Sequence, residues 1–441
     1  MKRRLKEVKV VIGANYGDEG KGLMTDYFTD RDKKCLVVCN NGGAQRGHTV
    51  KGGSLRHVFH HFGSGTLSGA ETYFSRYFIL NPLLFAEEYR QLRTYGLFPS
   101  DGRTPAGPAI YRHPDCLWST PYDMMINQIV EEHRGSRRHG SCGVGIWETI
   151  VRSEKLHYPL DRFGNNPASL REYLGIIRDD YLPARLKELG IGRVPEKWKE
   201  LIAREEMMDH FIEDILFLTK HTITAEDTLL FGYDRAIIEN GQGLLLDRNI
   251  TEDREHTTPS NTGLQNVAGM LNDLGIAFRN YAPSGSRNSQ NEPDRSSQTE
   301  PGRNNHRYSA PIPVEVCYVT RTYLTRHGAG PFPGECDKGT INPLMIDETN
   351  MPNAFQGSLR YGIISPEALA ERIAKDFRKY TGKCDGSGIF ELSLAITHCN
   401  ETSWLWNNRT PIRREHFQSL KMKRVYYSAS ENKEEIRAEE L

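Results

Sequence analysis

The sequence predicts an α/β protein with a central, mostly parallel sheet flanked by helices and a P-loop-like turn near its start. Three observations predict this class. Short β-branched runs recur along the chain, a Gly-rich or polar loop follows each run, and stretches with helical periodicity lie between them. Because sheets of this kind bind ligands at the carboxyl ends of their strands, the chemistry is expected in those loops.

Five segments have the composition of buried strands. The first, VKVVIGA at 8–14, precedes the Gly-rich loop NYGDEGKG and a helix-like stretch, LMTDYFTD. The other four each end in a Gly-rich or polar loop, and they span 35–40, 235–240, 315–325 and 388–400. The clearest helices are predicted over 83–94 and 196–220, where apolar residues recur at helical spacing.

The sequence predicts a single domain, 1–441, that contains one segment of distinctly different composition. Residues 282–310 are rich in Ser, Asn, Pro and Arg and nearly free of large apolar side chains. Such a composition cannot bury enough surface to order itself. The sequence therefore predicts a disordered surface insertion at 282–310.

Charge and cysteine content exclude several classes of protein. Lys+Arg and Asp+Glu are both 57, so no basic excess points to nucleic acid or to an anionic membrane. No stretch approaches the roughly 18 apolar residues of a membrane span. The eight cysteines form no CxxC pair, which argues against a zinc site and a disulfide framework. These features favour a reduced, cytoplasmic protein.

The loop NYGDEGKG at 15–22 has the composition of a phosphate-binding turn. Its glycines let the backbone approach a phosphate, Lys21 supplies a positive charge, and the next helix adds its N-terminal dipole. The usual hydroxyl that follows the lysine and holds Mg²⁺ is missing, since Leu23 stands two past it. Asp18 is the obvious oxygen donor in its place. An ordinary acidic turn is the alternative interpretation.

A second Gly-rich loop, NGGAQRGHT at 41–49, follows the second predicted strand. Three glycines and a histidine at a strand end suit a buried, closely packed ligand. A lone histidine is more often structural than catalytic. Near a loop that carries Asp18, Glu19 and Lys21, however, His48 becomes a candidate for acid–base chemistry.

Five motifs resemble those of the adenylosuccinate synthetases, in the same order. They are GDEGKG (17–22), GGAQRGHT (42–49), GQGLLLD (241–247), TPSNT (258–262) and TRHGAGPFPGE (325–335). Enzymes of that family join aspartate to C6 of inosine monophosphate while cleaving GTP. The resemblance spans nearly the whole chain, and it implies the fold, the reaction and Mg²⁺ as cofactor.

The resemblance also implies roles for individual residues. Asp18 would take the N1 proton of the purine, His48 would act on the 6-oxygen, and Lys21 would hold the triphosphate. Asp18 and the carbonyl of Gly47 would bind Mg²⁺. The chemistry agrees, because such a step needs a base, a proton donor near the oxygen and positive charge on the phosphates.

Three binding regions follow from the same resemblance. The triphosphate would contact Gly17, Glu19, Gly20, Lys21, Gly22, Gly47, His48, Thr49, Asn400, Ser428 and Ser430. The purine monophosphate would contact Asp18, Asn41, Gln45, Ser141, Cys142, Arg152, Gln242, Leu246 and Thr258. The amino acid would contact Gln356, Gly357, Ser358 and Arg360. Arg152 resembles an arginine that reaches across a homodimer, so a homodimer is expected.

Two departures from the family leave the substrates open. Where the family reads guanine with a TKxD motif, this chain has Thr397-His398-Cys399-Asn400. An asparagine offers both donors and an acceptor, which suits adenine, so ATP or dATP is the expected donor and GTP the alternative. The arginine cluster of the aspartate loop has shrunk to Arg360, which puts aspartate itself in doubt although it stays the default amino acid.

These departures look like the phage-type synthetases of the diaminopurine pathway, which act on (deoxy)GMP. Several of those enzymes replace the catalytic aspartate, whereas Asp18 is present here. The acceptor is therefore GMP, dGMP or IMP. Three rival hypotheses remain: the housekeeping reaction with GTP, IMP and aspartate, a catalytically silent nucleotide-binding relative, and an NTP-hydrolysing switch.

Overall fold

The computed structural model describes residues 4–98, 107–250, 254–276, 311–345, 358–381, 389–402, 405–407, 410–412 and 414–441. The predicted insertion at 282–310 lies outside the described residues, and so do Gln356 and Gly357.

The described residues contain twenty strands. They are β1 Glu7–Gly13, β2 Cys35–Cys39, β3 Gly42–Gly43, β4 His48–Gly52, β5 Leu55–Phe59, β6 Glu71–Phe74, β7 Phe78–Leu80, β8 Ile110–Arg112, β9 Leu117–Trp118, β10 Ile223–Thr224, β11 Arg235–Gly243, β12 Val314–Arg321, β13 Leu324–Arg326, β14 Glu335–Cys336, β15 Arg360–Gly362, β16 Phe390–Thr397, β17 Leu405–Asn407, β18 Thr410–Ile412, β19 Arg424–Tyr427 and β20 Arg437–Glu440.

Eleven α-helices lie in the same part of the chain. They are α1 Lys21–Phe28, α2 Pro82–Thr94, α3 Pro121–Arg134, α4 Ile146–Lys155, α5 Pro167–Ile176, α6 Leu182–Glu188, α7 Glu196–Ile202, α8 Glu205–His221, α9 Gln265–Asp273, α10 Lys338–Ile341 and α11 Pro366–Thr381. Helix α3 begins with a capping box, in which the Thr120 and Asp123 side chains each bond the other's backbone N–H.

Ten strands form one sheet in the order β10-β8-β6-β2-β11-β1-β12-β16-β19-β20. Nine of them run parallel, and β20 pairs antiparallel with β19 at the edge. The prediction of a mostly parallel sheet is therefore confirmed. The five strands predicted from composition form the centre of the sheet, which is consistent with burial on both faces.

Side chains of β1 alternate between two cores. Val8, Val10 and Ile12 pack with apolar residues of α9 and α11, whereas Val11 packs on the other face with Met24 and Phe28 of α1. A third cluster, rich in phenylalanine, lies among α2, α3, α5 and α8. The predicted helix over 196–220 is divided into α7 and α8 at Ala203–Arg204.

Candidate active site

The first Gly-rich loop connects the end of β1 to the start of α1. A side chain at Gly13 would place its Cβ 2.6 Å from the backbone carbonyl of Gln242, so only glycine fits there. Gly20 has φ 89° and caps α1 in the left-handed region, where glycine is tolerated without strain. The chain thus enters α1 with backbone N–H groups at the carboxyl edge of the sheet, as an anion site requires.

The buried side chain of Glu19 stabilises the conformation of this loop. Its Oε1 accepts hydrogen bonds from the N–H groups of Asn15 and Gly17, both at 2.9 Å. Its Oε2 lies 2.8 Å from Nζ of Lys21, and both side chains are only 2% exposed. The structure therefore gives Glu19 a role inside the loop, where it competes with any phosphate for Lys21.

Asp18 is the acidic group of the loop that reaches solvent. Its side chain is 24% exposed, and Oδ2 lies 3.3 Å from Nε2 of His327. Its backbone has φ 57°, and its carbonyl accepts a hydrogen bond from Nε of Arg321. A non-glycine residue in the left-handed region is uncommon, and it turns the Asp18 side chain away from the interior that holds Glu19.

His48 forms a buried pair with a carboxylate on the central sheet. Its Nδ1 lies 2.8 Å from Oε1 of Glu239, a fully buried residue of β11. Arg46 and Ser64 also donate to this carboxylate. Burial would raise the pKa of Glu239, but these charges and hydrogen bonds together lower it to about 2.

Burial and the contact with Glu239 together determine the protonation of His48. Burial is the main influence on the imidazole and lowers its pKa, against the attraction of Glu239. A neutral ring that donates Nδ1–H to Glu239 keeps its second nitrogen, Nε2, for a substrate. Sequence reasoning missed Glu239, although an acidic residue inside the apolar run RAIIEN is a readable signal.

Two glutamines place their amide groups beside Gly42. A Cβ at Gly42 would lie 2.9 Å from Nε2 of Gln45 and 3.0 Å from Oε1 of Gln242. Gln242 has φ 55° at a shift in the β1–β11 register, and Asn41 braces this turn by accepting from the Gly241 N–H at 2.8 Å. Among the described residues, both polar atoms of Gln45 and Nε2 of Gln242 are buried without a hydrogen-bond partner.

Unpartnered amides are costly in an interior, so their presence indicates a site that a polar ligand completes. The start of α4 approaches it, because a Cβ at Gly43 would lie 2.8 Å from the Ile146 side chain. Leu246 and Thr258 are joined by a backbone hydrogen bond of 2.8 Å.

Ser141 and Cys142 precede α4. The Ser141 hydroxyl accepts from the Asn127 amide at 3.1 Å. Burial raises the pKa of the Cys142 thiol to about 11, so it stays protonated and neutral beside any phosphate.

The predicted base-binding segments meet at the end of β16. The N–H of Cys399 donates to the carbonyl of Ser428 at 2.9 Å, and the Ser428 hydroxyl donates to the carbonyl of Ser430 at 2.7 Å. Asn400 is exposed at this turn. The Thr397 hydroxyl donates to the carbonyl of Glu19 at 2.8 Å, which joins the turn directly to the first loop.

The two Gly-rich loops also touch each other. A Cβ at Gly22 would lie 2.9 Å from the carbonyl of Thr49 and 3.0 Å from Cβ of His48. The start of α1 therefore packs against the start of β4, next to the exposed Gly47. Gly17, which has φ 102°, completes the first loop.

Arg152, which the resemblance assigns to the purine monophosphate across a homodimer, is enclosed within its own subunit here. This residue is 1% exposed, and it donates to Asp123 at 2.9 Å, to the hydroxyl of Tyr173 at 2.7 Å and to the carbonyl of Trp118 at 2.7 Å. Its guanidinium is thus engaged inside its own subunit and cannot reach across a dimer without breaking these bonds.

Arg360 is likewise held by its own subunit. It pairs with both oxygens of Glu335, at 2.8 and 2.5 Å, and donates to the carbonyls of Gly328 and Gly330 at 2.9 and 2.7 Å. An amino-acid carboxylate would have to displace Glu335. Ser358 is exposed two residues earlier, and Gln356 and Gly357 lie outside the described residues.

The proposed Mg²⁺ donors suit a hard cation. Asp18 offers a carboxylate near solvent and Gly47 an exposed backbone carbonyl, and Mg²⁺ prefers oxygen ligands. No cluster of three or more His, Cys, Asp or Glu that could hold a metal occurs in the part of the chain that is described. This pattern fits an ion held mainly by phosphates and water, with one or two protein oxygens.

A second group missed from sequence links the base-binding turn to the first loop. The hydroxyl of Tyr323 donates to Glu401 and accepts from Nη1 of Arg321 at 2.9 Å, and Arg321 in turn donates to the carbonyl of Asp18. These residues are far apart in sequence, so only the fold shows that they are connected.

A profile of the adenylosuccinate synthetase family matches residues 10–281. The chain belongs to the adenylosuccinate synthetase family. It is 28% identical over 339 residues to an adenylosuccinate synthetase of Nitrosococcus oceani, an alignment that covers 75% of this chain and 65% of that relative. A synthetase of Syntrophotalea carbinolica is 25% identical over 330 residues, which cover 74% of this chain and 64% of the relative. The chain thus spans just under two thirds of the length of these relatives.

Two solved structures share the synthetase fold. Fully ligated adenylosuccinate synthetase from Plasmodium falciparum superposes with a TM-score of 0.66 at 15% identity, covering 98% of this chain and 100% of that one. Succinoaminodeoxyadenylate synthetase of cyanophage S-2L, bound to dGMP and dATP, superposes with a TM-score of 0.54 at 13% identity, covering 98% and 95%. No described helix is long and apolar enough to cross a membrane, and the seven described cysteines are all free.

Proposed function

We propose that the protein is a ligase that joins an amino acid to C6 of a 6-oxopurine nucleotide through a 6-phosphoryl intermediate. L-Aspartate is the default amino acid, GMP, dGMP or IMP the acceptor, and ATP or dATP the phosphate donor. The observation that carries the proposal is the buried pair of His48 and Glu239. Nucleotide binding alone does not require an imidazole oriented by a buried carboxylate, whereas proton transfer does.

The chemistry assigns each group a task. The carboxylate of Asp18 removes the proton from N1, which makes the 6-oxygen a nucleophile. That oxygen forms a bond to the γ-phosphorus of the triphosphate as the bond from phosphorus to the β-phosphate oxygen breaks. His48 stabilises negative charge on the 6-oxygen in its protonated form, in which Nε2–H donates to that oxygen and the Glu239 carboxylate at Nδ1 balances the charge of the ring. The amine then bonds to C6, the C6–O bond breaks, and inorganic phosphate leaves.

Positive charge is needed throughout the phosphoryl step. Lys21 would supply part of it after exchanging Glu19 for a phosphate, a small movement because both groups belong to one loop. Mg²⁺, when bound at Asp18 and the Gly47 carbonyl, would neutralise the transferring phosphate. The unpartnered amides of Gln45 and Gln242 are suited to hold the purine and its 6-oxygen.

The proposed choice of ATP or dATP as the phosphate donor rests on Asn400. Its exposed amide lies at the turn that also contacts Ser428, and it can both donate to and accept from adenine. The cyanophage synthetase, which shares this fold, binds dATP as its energy donor, and this supports the same choice here. A homodimer in the cytoplasm is expected from the family.

The deciding experiment crosses ATP, dATP, GTP and dGTP with IMP, GMP and their deoxy forms, in the presence of Mg²⁺ and aspartate. Phosphate release and product mass are measured together. A product that requires all three substrates supports the ligase, and GTP with IMP as the best pair identifies the housekeeping reaction. Phosphate release without a monophosphate indicates a hydrolytic switch, and no reaction with any combination indicates a silent relative.

A further inference from the structure

The C-terminal segment, residues 428–441, connects the proposed base-binding turn with α1. Ser428 and Ser430 follow β19, and a short 3₁₀ turn at Lys433–Glu435 leads into β20. The start of the segment is fixed to β16, because the Ser428 N–H donates to the carbonyl of Ile396 at 2.9 Å. The next residues bond one another, since the Asn432 N–H donates to Oγ of Ser430 at 3.0 Å. The position of the turn therefore also depends on what holds the segment beyond Asn432.

Lys433 attaches this part of the segment to α1. Its Nζ lies 3.3 Å from Oδ1 of Asp26 and donates to the Asp26 carbonyl at 3.1 Å. It also donates to the hydroxyl of Ser68 at 2.5 Å, and that hydroxyl donates to Oδ1 of Asp26 at 2.6 Å. The side chains of Lys433 and Asp26 are 16% and 2% exposed, so water and salt screen the pair little. The attachment is therefore stronger than an ordinary surface ion pair.

The helix that Lys433 holds is the one that follows the first Gly-rich loop. α1 begins at Lys21, and Asp26 lies in its second turn. In the proposed reaction the base of the triphosphate lies at Ser428 and Ser430 and its phosphates at Lys21. One rigid nucleotide must then meet two parts of the chain that are far apart in sequence. The distance between those parts depends on the contact that joins the C-terminal segment to α1.

We propose that Lys433 is a positioning residue for the triphosphate, which fixes the base-binding turn at the correct distance from the first Gly-rich loop. It acts through the chain between Ser430 and itself and through α1. The inference rests on the proposed function, which places the base and the phosphates at these two parts of the chain. Loss of the attachment should weaken binding of a triphosphate that carries a base and spare a phosphate chain that has none.

The test measures dissociation constants of ATP, GTP and inorganic tripolyphosphate by calorimetry with Mg²⁺ present. In Lys433→Met the tighter-binding of the two nucleotides should bind about tenfold more weakly than in the wild type, equivalent to the loss of about one hydrogen bond. The constant for tripolyphosphate should not change. Lys433→Arg keeps the charge and should restore most of the affinity. Because Ile436 also packs beside Met24 and Phe28, the segment should stay folded in these variants, which circular dichroism checks.

A second variant and a matched control separate the attachment from general effects. Asp26→Asn removes the same ion pair from the other side, so its loss should resemble that of Lys433→Met, and the double variant should lose no more than either. Lys51→Met is the control. Lys51 lies 3.9 Å from Glu431 of the same segment, but the two side chains are 41% and 54% exposed. Such a pair contributes little, so this variant should bind all three ligands as the wild type does.

Three results overturn the inference. They are an unchanged nucleotide affinity in Lys433→Met, an equal loss for the nucleotide and tripolyphosphate, and a wild type that fails to bind either kind of ligand. Product formation by the wild type leaves the ligase proposal standing in each of these cases. A selective tenfold loss in a protein that makes no product with any set of substrates supports the role of Lys433 and counts against the ligase alone.

Discussion

Nζ of Lys21 lies 2.8 Å from Oε2 of Glu19, and neither side chain is more than 2% exposed. The other oxygen of Glu19 accepts two backbone N–H groups of the same loop. Glu19 is thus an internal counter-ion around which the loop folds. The two neighbouring carboxylates differ in role. Glu19 stabilises the loop from its interior, whereas the Asp18 side chain is partly exposed to solvent.

Removing this counter-ion should destabilise the protein. Glu19→Gln leaves Lys21 buried without an opposite charge, and we expect the free energy of unfolding to fall by about 2–4 kcal/mol. Denaturant titration followed by circular dichroism measures it. The control is Glu196→Gln at an exposed pair, where Glu196 lies 3.0 Å from Lys199. That change should stay within about 0.5 kcal/mol, and similar losses in both variants would contradict the role of Glu19.

The second prediction concerns Glu239. Glu239→Gln removes the negative charge that balances a protonated His48, so kcat should fall about 100-fold with little change in KM. Because Arg46 also relies on Glu239, activity is normalised to the folded fraction. His48→Asn should cost a similar factor, and the double variant should be no worse than either. Independent, multiplying losses would show that the two residues do not act as a unit.

Asp18 is predicted to act in chemistry rather than in triphosphate binding. Asparagine tolerates the φ of 57° at this position, so Asp18→Asn should keep the fold. Product formation should disappear while ATP affinity, measured by calorimetry, changes only a few-fold. Full turnover in this variant would refute the assignment of Asp18 as the base.

Asn400→Asp should change the preferred phosphate donor. A carboxylate accepts from guanine N1–H and its 2-amino group but repels the adenine edge, which should raise kcat/KM for GTP relative to ATP by about tenfold or more. Initial rates with the two donors measure the ratio. Asn165→Asp, at an exposed loop residue, adds the same charge elsewhere and should leave the ratio as it was. An unaltered ratio in Asn400→Asp would mean that Asn400 does not read the base.

The centre of the fold was predictable because its strands are apolar runs followed by glycine. β1, β2, β11, β12 and β16 were all expected from composition, and they are consecutive in the sheet. Short outer strands such as β8 have three residues, too few for a readable pattern. For the candidate site, local Gly-rich motifs indicated Asp18 and His48, whose catalytic roles stay predictions.

Contacts between distant segments were not predictable. Glu239 lies 191 positions from His48, and Glu401 is connected to the first loop through Tyr323 and Arg321. The surroundings of Arg152 are a further example. Its sequence context resembled a binding residue, but burial beside Asp123 is a property of the packed helices that no local pattern reveals.

The last prediction uses a half-buried carboxylate that lies away from the chemistry. Burial, with a smaller contribution from Asp247, raises the pKa of Asp376 in α11 to about 6, although Tyr318 and the N–H of Leu264 donate to it. An unfolded aspartate ionises near pH 4. Between these values the folded state binds the proton more strongly, so stability is lost as pH rises from about 4 to about 6.

Asp376→Asn cannot ionise and should escape this loss. Relative to the wild type, its free energy of unfolding should rise by about 1–2 kcal/mol between about pH 4 and about pH 7.5. Denaturant titrations at the two pH values measure the change. Asp180→Asn, at an exposed residue, should track the wild type at both. A constant difference between Asp376→Asn and the wild type would show that Asp376 titrates normally in the folded protein.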